Sequence, residues 1–358
     1  MQKLPFKSFY LSAVTPQGVV SRTRELLLDD RFSKVILLKG APPETANEFL
    51  NCAAEAAAQR GFEVKTALSA VEQGRIEAVF WGDTAVANGS DPFNIEPPFI
   101  GSKFKTLWLG DIINTDATDK NTERLTKLHL ESQRQFESAR KLLFAADCLL
   151  SDNRRTAFEA ADQCKIVLTV EKTAAKMISG KGAERFFITA DRYGGNGMTE
   201  ALSDYEVTAF KDKYGGCAEL FLSLIHKAAK RCGCRFIAGF SPLYPFAFPE
   251  LLIFPESCKA VVYTDGCFRL DRRPDHVITA RRFIDKGQLT SRKRLLEANR
   301  KSAEKLLSRS GALFSEAAAA RNEISRVAVG GVAADGLLRQ QLRRRLFDLC
   351  FCNSERQG

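Results

Sequence analysis

The sequence predicts a tandem α/β protein: two copies of a parallel sheet flanked by helices, each copy with a helical arm. Three observations lead there. A chain of 358 residues, 45% hydrophobic and 27% charged, has the size of two domains and enough apolar surface for a core in each. An internal repeat is written along it, one block starting at Val35 and its counterpart at Val207. Within each copy, short apolar runs of strand type alternate with stretches of helical composition, the order that makes βαβ units.

The first block opens with Val35-Ile36-Leu37-Leu38-Lys39, a buried-strand run, and continues into a helical stretch over 44–59 closed by Gly61. The second opens with Val207-Thr208-Ala209-Phe210-Lys211. Lys39 falls on Lys211, Ala46 on Ala218, Phe49 on Phe221 and Gly61 on Gly233. Further on, residues 77–83 match 259–265, and the Pro- and Phe-rich stretch 241–249 accounts for the longer spacing in copy two. Ala78 to Trp81 and Ala260 to Tyr263 are apolar runs that read as central parallel strands. Upstream, Phe9-Tyr10-Leu11 and Phe186-Phe187-Ile188 each precede a glycine-containing turn, with Gly18 in one copy and Gly194, Gly195 and Gly197 in the other.

Each copy ends in a helical arm. Residues 118–150 are polar with an apolar stripe in which Phe136, Leu143 and Leu150 recur every seven residues, Ala139 and Ala146 lying between them. Ser151-Asp152-Asn153 predicts a break before a second helix from Arg154. Residues 290–308, a break at Ser310-Gly311 and residues 312–325 mirror this in copy two. The pattern fits two antiparallel helices packed as a hairpin, or, for the first half of each arm, helices lying on the sheet. The domains then run from 1 to 180, with the arm at 118–178, and from 181 to 358, with the arm at 288–326 and a basic C-terminal helix. Gly180-Lys181-Gly182 reads as the linker.

No apolar run approaches the ~18 residues of a membrane helix, and the N-terminus lacks the apolar core of a signal peptide, so a cytoplasmic protein is expected. The ten cysteines do not make a disulfide scaffold. The pairs Cys232/Cys234 and Cys350/Cys352 lack zinc spacing, and His129, His226 and His276 stand far apart, so free thiols and no metal centre are expected. The net charge of +10 is uneven: residues 1–181 carry 24 Lys/Arg against 23 Asp/Glu, whereas residues 269–358 carry 20 against 10. A basic region of this kind attracts phosphates. Within it, Leu338, Leu342, Leu346 and Leu349 form one face of an amphipathic helix with arginines beside it. Docking as a capping helix is expected; undocked, it would bind nucleic acid or a membrane surface.

Directly after the first strand comes Lys39-Gly40-Ala41-Pro42-Pro43-Glu44-Thr45-Ala46-Asn47-Glu48. This resembles the loop K-G-x-P-G-T-G-K-S-T of a tandem two-domain family of predicted bacterial P-loop ATPases, whose copies also carry a strand ending in Asp-Gly-Thr and a helical arm. The resemblance follows the order of elements along nearly the whole chain. It implies two tandem P-loop NTPase-like domains, with ATP and Mg²⁺ as the family's ligands. Carried over, Gly40 and Pro42 are kept. The later glycines fall on Pro43 and Thr45, the lysine on Ala46 and the hydroxyl residue on Asn47. In copy two, Lys211-Asp212-Lys213-Tyr214-Gly215-Gly216-Cys217-Ala218-Glu219 keeps Gly215, with the lysine on Ala218 and the hydroxyl on Glu219. Asp83 and Asp265 take the place of the strand-end aspartate, and Lys213 offers a displaced cation to a phosphate.

With both lysines and both hydroxyls replaced, the charge stabilisation on which phosphoryl transfer depends is removed. The expectation is therefore a non-catalytic binding or scaffold module without a cofactor, with a protein partner on its arms. One alternative is an ATPase that still binds ATP or GTP through Lys39, Gly40, Pro42 and Asp83, or through Lys213, Gly215, Gly216 and Asp265. Another is a nucleic-acid-associated protein working through residues 269–358. Cys217, at a helix start with no histidine near it in sequence, is expected to be a buried thiol.

Overall fold

The computed structural model describes residues 7–72, 74–97, 101–180, 182, 185–189, 202–245, 247–268, 270, 272–329 and 336–352. It divides into two compact units, Met1–Leu11 with Ser21–Glu137 and Leu313–Gly358, and Ser12–Val20 with Ser138–Ala312.

In the first unit the strands lie in the order β1 (Ser8–Tyr10), β5 (Lys65–Leu68), β6 (Ile76–Trp81), β7 (Thr84–Asn88), β4 (Lys34–Lys39) and β8 (Phe104–Trp108). β1 is parallel to β5, and β4 is parallel to both β7 and β8. Helix α2 (Pro43–Gln59) starts at Pro42-Pro43, where the fixed φ of proline suits a first turn whose N–H groups need no intrahelical partner. It lays Phe49, Leu50, Ala53 and Ala57 against Ile36, Leu38, Val79 and Val86 of the sheet. Full burial of Phe49 and Leu50 contributes roughly 1.5–3 kcal/mol each. Leu342, Leu346 and Cys350 of α8 (Gly336–Phe351) complete the same core beside α2.

The second unit repeats the topology. Its strands are β9 (Arg185–Thr189), β11 (Phe236–Phe240), β12 (Pro249–Phe254), β13 (Lys259–Tyr263), β10 (Glu206–Lys211) and β14 (His276–Thr279), with the same pattern of parallel and antiparallel neighbours. Helix α6 (Gly216–Cys232) takes the place of α2, and α5 (Gln163–Met177) packs on its core through Ile166, Val170 and Met177. A hairpin of β2 (Ser12–Thr15) and β3 (Gly18–Ser21) joins this unit, Thr189 Oγ1 donating to Ser12 O at 2.7 Å. The glycine turn expected at Gly194, Gly195 and Gly197 lies outside the described residues.

Three expectations are corrected. Ala78 to Trp81 do not form a parallel strand: β6 runs antiparallel to both neighbours, as β12 does. Residues 77–83 are not the counterpart of 259–265 either. The partner of Leu38 in β4 is Asn88, and the partner of Phe210 in β10 is Tyr263, so β7 corresponds to β13 and β6 to β12.

The arms, thirdly, do not break. α4 (Thr122–Glu159) passes through Ser151-Asp152-Asn153, and α7 (Lys286–Val329) passes through Ser310-Gly311. The polar residues expected to stop these helices are used sideways: in the second unit Asn153 Nδ2 donates to Leu296 O at 2.9 Å and Ser310 Oγ to Ala139 O at 2.9 Å. In the first unit Ser132 Oγ donates to Ala317 O at 3.1 Å. Small buried residues at heptad spacing, Ala139 and Ala146 on α4 and Ala303 on α7, allow the close approach these bonds need.

The compact units cut across residues 1–180 and 181–358: α5, from the first stretch of sequence, packs in the second unit, and α8, from the second stretch, packs in the first. Among the described residues, no helix is long and apolar enough to cross a membrane.

Candidate functional site

In the second unit the loop between β10 and α6 folds around its own aspartate. Gly215, with a φ of 82°, holds the left-handed conformation that glycine enters without steric cost, and α6 begins immediately after it. This turn aims the first N–H groups of the helix at Asp212, which is 2% exposed. Asp212 Oδ1 accepts from Tyr214 N at 3.2 Å, and Oδ2 accepts from Cys217 N at 2.8 Å and Ala218 N at 3.0 Å. Converging N–H groups at a helix N-terminus are what an anion such as phosphate binds; here a carboxylate of the chain occupies them. Burial pushes the Asp212 carboxyl up, and the N–H groups of Ala218, Tyr214, Gly215 and Cys217 offset only part of that rise.

The surrounding residues lock this arrangement. Asp212 N donates to Asp265 Oδ2 at 2.8 Å, and Tyr263 OH donates to Asp212 O at 2.9 Å. The backbone of α4 closes on the helix start: a Cβ at Gly216 would lie 2.4 Å from Arg154 O and 2.5 Å from Phe158 N. Cys217 is buried, and burial together with Asp212 pushes its thiol far above the ordinary range.

Beside the loop lies a cavity of about 340 Å³ lined in part by Arg154, Lys213, Tyr214, Tyr244, Asp265 and Arg300. Its cations are already paired. Lys213 Nζ is 2.5 Å from Glu297, Arg300 is 3.2 Å from Glu297 and also pairs with Glu304, and Arg154 is 3.3 Å from Asp147 and 3.6 Å from Glu219. The Arg154 guanidinium also lies 4.3 Å over the Tyr244 ring. Hydrogen bonds from Lys213 and Tyr214 draw the Glu297 carboxyl down to about 2. Burial and Glu297 push Tyr214 up to about 12.

The first unit answers the same problem with other residues. Lys39 pairs with Glu96, and Gly40 N donates to Ser90 Oγ at 3.2 Å, the counterpart of the bond from Asp212 N to Asp265. Gly40 has a φ of 81° and lies under the Trp108 ring, which a Cβ would meet at 2.7 Å. Pro42 caps α2 without a side-chain donor or acceptor. Asn47, on the hydroxyl position, accepts from Ile76 N at 2.8 Å and so holds the start of β6. Near the start of α2 a space of about 10 Å³, room for one water, is lined in part by Pro43, Ser69, Glu72, Arg75 and Asn88. Arg75 bridges Glu72 at 2.6 Å and Glu44 at 4.0 Å.

Asp83 is not part of that site. Its carbonyl accepts from Ser33 N and Lys34 N, and its carboxylate from Ser33 Oγ, at the end of β4 opposite Lys39. The length of the strand, about 16 Å, separates the two. By the strand correspondence, the residue matching Asp265 is Ser90. The structure thus gathers Lys213, Gly215, Gly216 and Asp265 around one loop and Lys39, Gly40 and Pro42 around the other, and leaves Asp83 out.

No family model, curated protein or solved structure matches this chain.

Sequence reasoning passed over Asp212 itself. The signal was there: an aspartate two residues before Tyr214 and just ahead of Gly215-Gly216 is an Asx-turn and helix-start pattern. Also missed were Glu77 and Glu250, both fully buried. Register shifts at Ala67/Leu68 and at Gly239/Phe240 leave each as the extra residue of a β-bulge, at corresponding places in β6 and β12. Glu77 accepts from Ser21 Oγ at 2.8 Å and from Thr23 Oγ1, and Glu250 accepts from Cys267 N at 2.5 Å and from Tyr244 OH. Burial pushes the Glu250 carboxyl up. Among the described residues, no three His, Cys, Asp or Glu side chains gather into a metal-binding group.

Proposed function

We propose that the chain is a non-catalytic, P-loop-derived module in which two tandem NTPase-like domains have given up the nucleotide and serve as a scaffold for a protein partner. One observation carries the reading: the carboxylate of Asp212 occupies the N–H groups of Tyr214, Cys217 and Ala218 that a phosphate would need. Supporting it, the lysine positions are the buried Ala46 and Ala218, and the backbone of α4 covers Gly216. With Ala46 and Ala218 on the lysine positions and Asn47 and Glu219 on the hydroxyl positions, those positions supply none of the charge stabilisation of phosphoryl transfer. Exposed Leu130 and Phe144 on α4 are side chains that a protein partner would cover.

Isothermal titration with ATP, ADP and GTP, each with and without Mg²⁺, tests this reading. Absence of heat from folded protein is expected. A saturable, Mg²⁺-dependent signal would overturn it.

A further inference from the structure

The excess of positive charge late in the chain is not spread evenly over the surface. On α8 it is spent: Arg339 and Arg343 both pair with Glu48 of α2, and Lys34 Nζ donates to Cys350 O at 3.0 Å. Phe351 stacks on Trp81 at 5.7 Å beneath the Arg60 guanidinium. This helix is docked; Arg339 and Arg343 share one carboxylate, while Arg344 and Arg345 are exposed as an adjacent pair rather than a stripe along the helix.

The N-terminal half of α7 is different. At 100° per residue, Arg294, Lys301 and Lys305 fall within about 40° of one another, and about 180° from Leu296, Ala303 and Ser310. Those three are fully buried, while Arg294, Lys301 and Lys305 are exposed. Arg309 continues the stripe at its far end. Arg294, Lys301 and Lys305 have no ion-pair partner among the described residues, and between them stand only short exposed side chains, Ala298, Ser308 and Ala312. The nearest carboxylates on the helix, Glu297 and Glu304, are taken by Lys213 and Arg300. Lys301, Glu304, Lys305, Ser308, Arg309 and Ala312 line an open groove, Glu304 being the carboxylate already paired with Arg300.

We infer that this outward stripe of α7 binds the phosphodiester backbone of nucleic acid. From Arg294 to Arg309 the helix extends about 22 Å, which at about 3.4 Å of axial rise per step spans roughly six base-pair steps of a duplex. Cations separated by small residues let the backbone approach closely, and contacts to phosphates carry no sequence information, so the binding is independent of sequence. A membrane surface is the poorer fit. A helix lying in a bilayer interface buries an apolar face, and the apolar face of α7 is consumed against α4.

The test uses the full chain and a random-sequence DNA duplex of about 20 base pairs, followed by fluorescence anisotropy across salt concentrations. Arg294, Lys301 and Lys305 on phosphates predict a log–log salt slope near −2.7, so affinity falls about 40-fold between 50 and 200 mM salt. The triple variant Arg294→Glu, Lys301→Glu, Lys305→Glu is expected to lose binding by about 100-fold or more and to flatten the slope towards zero. Arg344→Glu with Arg345→Glu, on the docked α8, is expected to change affinity only a few fold. Should the triple variant not fold, the salt slope of the unaltered protein still decides. No binding at 50 mM salt, equal losses in both variants, or binding to phosphatidylserine vesicles without binding to DNA would each overturn the proposal.

Discussion

The backbone N–H of Cys217 donates to the carboxylate of Asp212 at 2.8 Å, so the anion at the start of α6 is part of the chain. Ala218 N and Tyr214 N complete the set of donors to this carboxylate. This ties the loop to the stability of the second unit. Asp212→Ala leaves three N–H groups without their acceptor and is expected to cost about 2–4 kcal/mol, with Asp212→Asn costing less because one acceptor oxygen remains. Urea denaturation measures both. An alanine variant as stable as the parent would show that the cradle does no structural work.

Gly216 and Gly233 should respond very differently to a methyl group. At Gly216 the new Cβ would lie 2.4 Å from Arg154 O, a backbone atom of α4 that cannot swing aside. At Gly233, which caps α6 with a φ of 63°, the space is open and only the left-handed conformation is strained. Gly233→Ala is expected to cost about 1 kcal/mol. Gly216→Ala is expected to cost several times that, because α4 must back away. Thermal melts of the two variants give the comparison, and similar values would contradict the close packing of α4 on the loop.

Glu297 predicts a pH dependence with a definite sign. Its carboxyl is drawn from an ordinary 4.5 down to about 2 by Lys213, Tyr214 and Arg300. A depressed folded-state value means that its contribution is complete above about pH 4.5 and is lost as the pH falls through about 2. The stability difference between the parent and Glu297→Gln should therefore be constant from pH 7 to about 5 and shrink below that. Denaturation series at several pH values measure it, and a difference that does not change down to pH 2.5 would contradict the assignment.

How much of this was legible beforehand differs from element to element. The first block of the repeat was readable because Lys39, Ala46, Phe49 and Gly61 keep their spacing against Lys211, Ala218, Phe221 and Gly233. The second block slipped by one strand. β6 and β7 are both short and apolar, so composition could not tell which of them matched β13; only the pairing of Asn88 with Leu38 does. The arms misled for a physical reason as well. Asn153 and Ser310 break isolated helices by competing for backbone groups, but here each bonds to a carbonyl of the facing helix and the helix runs on. The cavity residues Arg154 and Arg300, and Glu297 that pairs with Lys213, lie far from the loop in sequence, and nothing local marks them as its neighbours.

The docking of α8 is the fourth point open to measurement. Leu346 is fully buried in the core of the first unit, and Leu346→Ala is expected to cost about 3 kcal/mol. Glu48→Ala, which removes the shared partner of Arg339 and Arg343, is expected to cost about 1 kcal/mol because the Arg343 side chain is 40% exposed. Hydrogen exchange over residues 336–352 reports both. Unchanged protection in Leu346→Ala would mean that the helix is not held by this face.

The central claim is that the helix start in the second unit is an anion site filled by its own side chain. Asp212→Gly deletes that side chain, and acetate is the group deleted. The decisive measurement is the melting temperature of Asp212→Gly and of the parent as acetate is added at constant ionic strength. The account predicts a rise that saturates in the variant alone, since in the parent the N–H groups of Tyr214, Cys217 and Ala218 are already bonded. Parallel responses of the two proteins would contradict it.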